Sequence, residues 1–124
     1  MKLHLNDARG NNQFTGYGDG YVLINGQRHS GNLIVLPTRI IPDWHAGSAA
    51  TLREEQFERM LELDCEIILL GTGKVLRFPH PSLSRALLHA RVGLEAMDSA
   101  AACRTYNILL AEDRKVAAAL IIED

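Results

Sequence analysis

Short runs of large aliphatic residues alternate with amphipathic stretches in the second half of the chain. The central run, residues 65–73, contains four consecutive aliphatic side chains and closes on two glycines. This pattern is typical of a strand that is covered on both faces, inside a parallel or mixed sheet. Because ligands of open α/β sheets bind where strands end, we expect a site at the glycine end of this run.

The first predicted helix begins at Thr51, because Thr51 and Glu54 have the spacing of a capping box. Charged residues of this stretch lie mostly away from its apolar positions, which is typical of a surface helix with one solvated face. The apolar face predicted for this helix consists of Phe57, Met60, Leu61 and Leu63.

Two further helices follow the central run. The second is predicted over residues 83–91, with Ser82 as its N-cap and Gly93 as its left-handed stop. The third covers residues 100–113 and is rich in alanine. Short apolar runs at 94–97 and 115–122 are predicted to be strands, so that strand and helix alternate as in right-handed crossovers.

The N-terminal half is antiparallel in character. Residues 14–20 carry glycine at alternate positions, but no helix and no Lys-Ser/Thr pair follows, so a bulged strand or turn is favoured over a phosphate-binding loop. Asn25-Gly26 is a strong hairpin signal between residues 21–24 and 27–30. Residues 33–36 are predicted to be a buried strand that Pro37 ends.

Two other N-terminal stretches are less regular. Residues 3–5 are predicted to be a short edge strand, and residues 40–45 a loop that carries the only tryptophan, Trp44. That ring either lines a pocket or covers an edge of the core. Taken together, the patterns predict one α/β domain over residues 1–124, to whose sheet the N-terminal hairpin adds strands.

Composition and charge exclude several classes of function. The chain has a formal net charge of −2 with scattered Lys and Arg, which argues against a nucleic-acid-binding protein. Its longest apolar runs are too short to span a bilayer, and its first residues lack a signal-peptide pattern, so we expect a cytoplasmic protein. Cys65 and Cys103 lack a CxxC spacing and are expected to be reduced structural thiols.

A candidate site follows from the predicted winding. It would bring the glycine turn after the central strand next to the start of the third helix, which Asp98 or Ser99 caps. Backbone N–H groups of a glycine turn and of a helix start can hold a carboxylate or phosphate. The alternative is a tight turn that only needs a positive φ. The hypothetical ligand-binding set is Gly71, Thr72, Gly73, Lys74, Asp98, Ser99, Arg104 and Asn107.

No catalytic or metal site is predicted. Residues 102–107 form an unusual polar cluster in the third helix, in which Arg104 either contacts ligand or pairs with Asp98 or with carbonyls at strand ends. Cys103 is disfavoured as a nucleophile because no histidine lies close to it in sequence. The five histidines show no metal-ligand spacing, and no cofactor is implied.

Several segments together resemble a known family. They are the Gly-Tyr-Gly hairpin, residues 33–37 followed by Trp44, and the segments 69–73, 93–98 and 101–107. The chain resembles a small single-domain family of unknown function that includes a mitochondrial respiratory complex I assembly factor and an adipogenesis-associated human protein. This resemblance implies a three-layer α/β fold with a mixed central sheet, no established enzymatic activity and, because a transit segment is lacking, a bacterial relative.

Two hypotheses follow. The first is a non-enzymatic interaction or assembly-accessory protein with an unidentified protein partner, and it predicts a filled sheet edge and an exposed apolar patch elsewhere. The second is a small-molecule or anion-binding protein, conceivably an enzyme, with a concave pocket lined by the candidate residues. Both hypotheses are compatible with a monomer and with a homo-oligomer.

Overall fold

The computed structural model describes residues 10–123, so the edge strand predicted at residues 3–5 lies outside the described residues. Within these described residues, eight strands and three α-helices follow one another, with short 3-10 turns between them. The strands are β1 Phe14–Gly18, β2 Tyr21–Ile24, β3 Gln27–His29, β4 Leu33–Leu36, β5 Arg39–Pro42, β6 Ile67–Gly71, β7 Gly93–Met97 and β8 Val116–Leu120. The helices are α1 Glu54–Arg59, α2 Arg85–His89 and α3 Ser99–Ala111.

The central sheet has five strands in the order β5-β4-β8-β6-β7. β6 lies between β8 and β7 and is parallel to both, with Leu69 opposite Ala118 on one side and Glu95 on the other. β4 joins the opposite edge of β8 in antiparallel orientation and pairs with β5. The predicted interior strand at residues 65–73 and the mixed sheet are therefore confirmed.

The N-terminal hairpin forms a sheet of its own, in the order β1-β2-β3. A bulge interrupts the pairing of β1 with β2 between Phe14 and Gly16, and the turn between β2 and β3 has φ values of 49° at Asn25 and 82° at Gly26. The bulged strand and the hairpin are thus confirmed. The expectation that this hairpin extends the central sheet is wrong, because β4 and β5 supply its antiparallel strands.

Alternation of side chains along the central strands builds two separate cores. On β8, Val116, Ala118 and Leu120 face α3 and the three-stranded sheet, whereas Ala117 and Ala119 face α1 and α2. All five are buried, which explains why this strand reads as an unbroken apolar run. The molecule therefore has three layers around a mixed sheet, as the resemblance implied.

One predicted loop is a strand. β5 occupies the first half of residues 40–45, and its Ile40 and Ile41 pair with Val35 and Ile34 of β4. The prediction of a loop over these residues was wrong. β5 is an edge strand and Pro42 is its last residue, where a missing N–H group disrupts no ladder.

The first helix begins at Glu54 rather than at Thr51. The Thr51 hydroxyl donates to the Ser48 carbonyl (3.0 Å) within a 3-10 turn, and the Gln56 side chain accepts the Arg53 N–H (2.7 Å). The helix cap is thus two residues later than the predicted capping box, and it consists of the Gln56 side chain alone, because an Arg53 guanidinium cannot accept a hydrogen bond. Of the predicted apolar face, Phe57, Met60 and Leu63 are buried; Leu61 is exposed because a 3-10 turn replaces the α-helix after Arg59.

The second helix also differs at both ends from the prediction. It opens as a 3-10 turn at Pro81–Ser84, where His80 Nδ1 accepts the Ser82 N–H (3.1 Å), so His80 rather than Ser82 is the cap. Arg91, with φ of 60°, makes the left-handed stop that was assigned to Gly93, and Gly93 instead begins β7. The third helix agrees with its prediction, with Asp98 as N-cap.

Candidate functional site

An open cleft of about 430 Å³ lies at the carboxyl ends of β6 and β8. The turn between β1 and β2 forms one side, and the start of α3 and the C-terminal residues form the other. Its lining is Tyr17, Gly18, Asp19, Tyr21, Val22, Gly73, Lys74, Asp98, Ser99, Ala100, Cys103, Ile121, Ile122 and Glu123. A concave feature thus occurs where the winding of the sheet predicts one.

The glycine turn and the start of α3 are in direct contact, as predicted. The Ser99 N–H donates to the Gly73 carbonyl (2.8 Å), while Asp98 Oδ1 accepts the Ala101 N–H (2.8 Å) and so caps the helix. Ser99 then ties the glycine turn to the chain after β8, because its hydroxyl accepts the Gly73 N–H (2.9 Å) and donates to the Ile121 carbonyl (2.6 Å).

Gly71 is needed for this close approach. A Cβ atom at Gly71 would lie 2.8 Å from Ser99 Oγ and 2.7 Å from Leu120 Cδ2. The start of α3 can therefore approach the end of β6 only because residue 71 has no side chain. This contact explains the first glycine of the turn by packing rather than by ligand binding.

A carboxylate of the chain itself lies over the second glycine. Glu123 Oε1 accepts the Lys74 N–H (3.2 Å), and a Cβ atom at Gly73, whose φ is 99°, would collide with that carboxylate. The Lys74 ammonium lies 3.7 Å from Asp19. Ser99 and Glu123 thus accept two N–H groups of the turn, so these two groups are not available to an anion in the cleft.

Half of the candidate ligand-binding residues line the cleft. Gly73, Lys74, Asp98 and Ser99 are in its wall, and the other four lie outside the lining. The remaining four are Gly71, Thr72, Arg104 and Asn107. Whether this set binds a ligand stays a prediction.

Arg104 and Asn107 both reach the N-terminal sheet. Arg104 is exposed and donates to the Tyr17 hydroxyl (2.8 Å), rather than to Asp98 or a strand-end carbonyl as expected for a structural role. Asn107 is buried, accepts the Phe14 N–H (2.9 Å) and donates to the Phe14 carbonyl (2.7 Å). The polar cluster of α3 therefore includes two contacts that hold β1 against the helix.

Thr72 organises the loop that leaves the glycine turn. Its buried hydroxyl donates to the Val75 carbonyl (2.8 Å) and accepts the Arg77 N–H (3.0 Å). This one side chain thus satisfies two backbone groups of the following loop and fixes its course.

The two thiols have little nucleophilic character. Burial raises the pKa of Cys103 to about 12, and burial together with the charge of Asp64 raises the pKa of Cys65 to about 11. Both side chains are free thiols, and at neutral pH both are almost entirely protonated. Cys103 lies at the back of the cleft as a packing residue with no exposed surface.

Sequence reasoning missed part of the cleft. Tyr17, Asp19 and Tyr21 come from the Gly-Tyr-Gly segment, which was interpreted only as a bulged strand, and Glu123 follows the last strand. Tyr21 also stacks under Arg28, whose guanidinium carbon lies 4.0 Å from the ring centroid. Two tyrosines flanking a glycine-rich turn were the available signal.

Trp44 covers the edge of the core at the end of β8. Its indole N–H donates to the Leu120 carbonyl (3.0 Å), and its ring packs on the core on the α1 side. The ring also forms part of the wall of a smaller cavity beside α1. Both alternatives for this residue are therefore realised.

A second surface lies on the loop and helix after the glycine turn. Four large apolar side chains are exposed there, with Phe78 at 78% and Leu88 at 74%. Beside Phe78 is a cavity of about 210 Å³, lined by Ala49, Ala50, Leu52, Leu70, Arg77, Phe78 and Pro79. The four exposed apolar residues are Val75, Leu76, Phe78 and Leu88.

Within residues 10–123, no group of three or more His, Cys, Asp or Glu side chains is arranged to hold a metal ion. None of the helices in this part of the chain has the length and apolarity required to cross a membrane.

Relatives with curated names match most of the chain. A mouse (Mus musculus) protein named NADH dehydrogenase [ubiquinone] 1 alpha subcomplex assembly factor 3 is 36% identical over 79% of this chain and 54% of its own length. An uncharacterised protein of Rhodobacter capsulatus is 33% identical over 86% of this chain and 81% of its own. The chain thus spans about half the length of the assembly factors that it matches.

Solved structures share the fold. A crystal structure of a Bordetella parapertussis protein superposes with a TM-score of 0.86 at 38% identity, covering 94% of this chain and 99% of the other. Residues 14–121 match the family described as protein of unknown function (DUF498/DUF598). The resemblance to a family that includes a complex I assembly factor is confirmed, and the chain belongs to the DUF498/DUF598 family.

Proposed function

We propose that this chain is a non-enzymatic accessory protein in the assembly of a respiratory complex, and that it acts in the cytoplasm by binding a protein partner. The names of the mouse and bovine relatives support the assembly role. The observation that carries the proposal is the exposed apolar surface around Phe78, which is 78% exposed. A group of exposed large apolar side chains within one short segment of a folded domain is typical of a protein-protein contact.

The internally bonded N–H groups of the glycine turn also favour an interaction protein over an anion-binding one. Ser99 and Glu123 accept the N–H groups that an anion would need, and burial keeps the Cys103 thiol protonated. The polar groups at the end of β6 thus hold the fold together. The exposed side chains of the next loop are free to contact a partner.

Deleting the gene in its native host tests this function. We expect less assembled NADH dehydrogenase complex on native gels, with in-gel NADH oxidation as the readout and restoration by a plasmid copy. Succinate dehydrogenase activity is the matched control, because an assembly factor for one complex leaves the other unchanged. Normal amounts of the NADH dehydrogenase complex in the deletion strain would contradict the proposal, and fractionation of the same cells tests the cytoplasmic location.

A second candidate function is small-molecule binding in the cleft beside α3. The observation that favours it is the cleft itself, at the carboxyl ends of β6 and β8, with two tyrosines and Lys74 in its wall. Thermal unfolding with phosphate, citrate and small amines would test it. A rise in Tm that Lys74→Ala abolishes supports an anion site. If none of these compounds raises the Tm, binding of small anions and of small cations in the cleft is contradicted.

A further inference from the structure

The segment after the glycine turn has a charge opposite to that of the rest of the chain. Residues 74–94, here called the basic apolar segment, contain four Lys or Arg and two His but no Asp or Glu. Since the whole chain has a formal charge of −2 and this segment contributes +4, the remainder carries −6. The four cationic residues, Lys74, Arg77, Arg85 and Arg91, are all exposed.

Most of this charge is available to a partner. Within residues 10–123, the ion pairs are Lys74 with Asp19 and Arg114 with Glu66, so Arg77, Arg85 and Arg91 take part in neither. Surface charges of one sign, not neutralised within the domain, attract a partner of the opposite sign and select against a partner of like sign.

Apolar and cationic groups meet at one cavity in this segment. Phe78 and Pro79 form its wall, Leu52 and Leu70 contribute apolar lining from the core, and Arg77 lines it as well. Its volume of about 210 Å³ suits a single aliphatic or aromatic side chain. A partner residue seated there would place its neighbours near the Arg77 guanidinium.

The loop that bears this cavity is already held in place. The Thr72 hydroxyl bonds to the Val75 carbonyl and to the Arg77 N–H, and Pro79 and Pro81 restrict the chain after Phe78. Binding to a loop that is already ordered loses less conformational entropy than binding to a flexible one. The segment is therefore suited to contact a partner without refolding.

We propose that the basic apolar segment is the docking surface for a protein partner whose binding stretch carries Asp or Glu next to one large apolar side chain. The apolar side chain enters the cavity beside Phe78, and a neighbouring carboxylate faces Arg77, which lines that cavity. A concave cavity favours a side chain of a peptide over a flat bilayer. This inference deepens the proposed function and rests on its claim of a protein partner.

Selection from a random peptide display library on the purified chain tests the docking surface. We expect enrichment of peptides with Asp or Glu within two or three positions of Leu, Ile or Phe. The affinity of a selected peptide, measured by fluorescence anisotropy, should fall about tenfold or more with Arg77→Glu plus Phe78→Ala. The matched control, Arg39→Glu plus Ile108→Ala, changes one exposed cation and one exposed apolar residue elsewhere and should alter affinity less than about twofold.

Three outcomes would overturn the docking surface. The first is the absence of acidic-apolar enrichment, and the second is equal affinity of a selected peptide for both double variants. The third is co-sedimentation of the chain with phosphatidylglycerol vesicles while no peptide is enriched, which would assign the segment to a membrane surface. Circular dichroism and Tm of both variants ensure that a loss of binding is not a loss of fold.

The docking surface and the assembly function can fail separately. If the deletion strain assembles its NADH dehydrogenase normally while the purified chain still selects acidic-apolar peptides, the assembly function is wrong and the surface stands. If the deletion strain has the defect but the Arg77→Glu plus Phe78→Ala variant restores assembly fully, the assembly function stands and the surface is wrong.

Discussion

The two faces of the central sheet are covered in different ways. On one face, the 13-residue helix α3 and the three-stranded sheet are joined by buried polar contacts, in which Asn107 bonds to both backbone groups of Phe14 and the Tyr106 hydroxyl donates to the Asn12 carbonyl (2.9 Å). Phe14 and Tyr106 also pack edge to face, with ring centroids 5.1 Å apart. On this face, directional hydrogen bonds and an aromatic contact therefore hold the three-stranded sheet against α3.

The other face is covered by two short helices and 3-10 turns. Its buried contacts are apolar, around Phe57, Met60 and Leu87, while Leu88 and Phe78 on the same side of the sheet are exposed. The contrast indicates that both faces bury a core, while the α1/α2 face also leaves exposed apolar side chains for a partner.

The first prediction contrasts two phenylalanines of the α1/α2 face. Phe57→Ala should lower the free energy of unfolding by about 3–5 kcal/mol, because a fully buried ring is replaced by a cavity. Phe78→Ala should change it by less than about 0.5 kcal/mol, since that ring is mostly exposed. Urea unfolding followed by circular dichroism measures both. Equal losses would show that Phe78 belongs to the core and is not available to a partner.

The second prediction concerns the polar contact of the α3 face. Asn107→Ala leaves the Phe14 N–H and carbonyl without their partner in a buried position, and should cost about 2–4 kcal/mol in the same assay. Ile108→Ala, one residue away and exposed, is the control and should cost less than about 1 kcal/mol. A small loss for Asn107→Ala would mean that water replaces the amide and that the N-terminal sheet is held by packing alone.

The sequence predicted the elements whose signal lies within a few residues. The apolar run before Gly71, the Asn25-Gly26 turn and the Asp98 cap are local patterns, and each has the predicted structure. β5 and the start of α1 were mispredicted because tertiary context decided them. Pro42 is acceptable only at an edge position, and Thr51 is drawn into a 3-10 turn.

The position of the candidate site could be predicted from the sequence, but several of the residues that line it could not. The winding of the sheet located a cleft at the end of β6. Tyr17 and Glu123 reach it from opposite ends of the chain, and their contacts with Arg104 and with the Lys74 N–H depend on side-chain positions that no spacing rule encodes. From the glycine turn in the sequence we expected N–H groups available to a ligand. In the folded chain, Ser99 and Glu123 accept two of these groups.

The third prediction tests the helix start beneath the cleft. Asp98→Ala removes the side chain that accepts the Ala101 N–H and should cost about 1 kcal/mol. Asp98→Asn keeps an acceptor at the same position and should recover most of that loss. Urea unfolding of the two variants side by side gives the comparison. If Asp98→Ala is as stable as the wild type, the carboxylate has another role in the cleft.

The smallest effect is expected at an exposed ion pair near the start of β6, away from both faces. The Arg114 side chain, with a further contribution from the Lys115 N–H, holds the pKa of the Glu66 carboxyl below its usual value, and the distance from Arg114 Nε to Glu66 Oε1 is 2.7 Å. A carboxyl whose pKa is lower in the folded state stabilises the fold above its unfolded-state pKa. That stabilisation is lost as the pH falls through the lower, folded-state value.

Glu66→Gln should therefore be slightly less stable than the wild type at pH 7, with the difference disappearing at low pH and shrinking in high salt, because exposed pairs are screened. Arg114→Gln serves as the matched variant and should show the same pH dependence, since it removes the other half of the pair. Thermal unfolding at pH 7 and at pH 3 measures both. A difference for Glu66→Gln that remains unchanged from pH 7 to low pH would mean that its side chain stabilises the fold through packing rather than through charge.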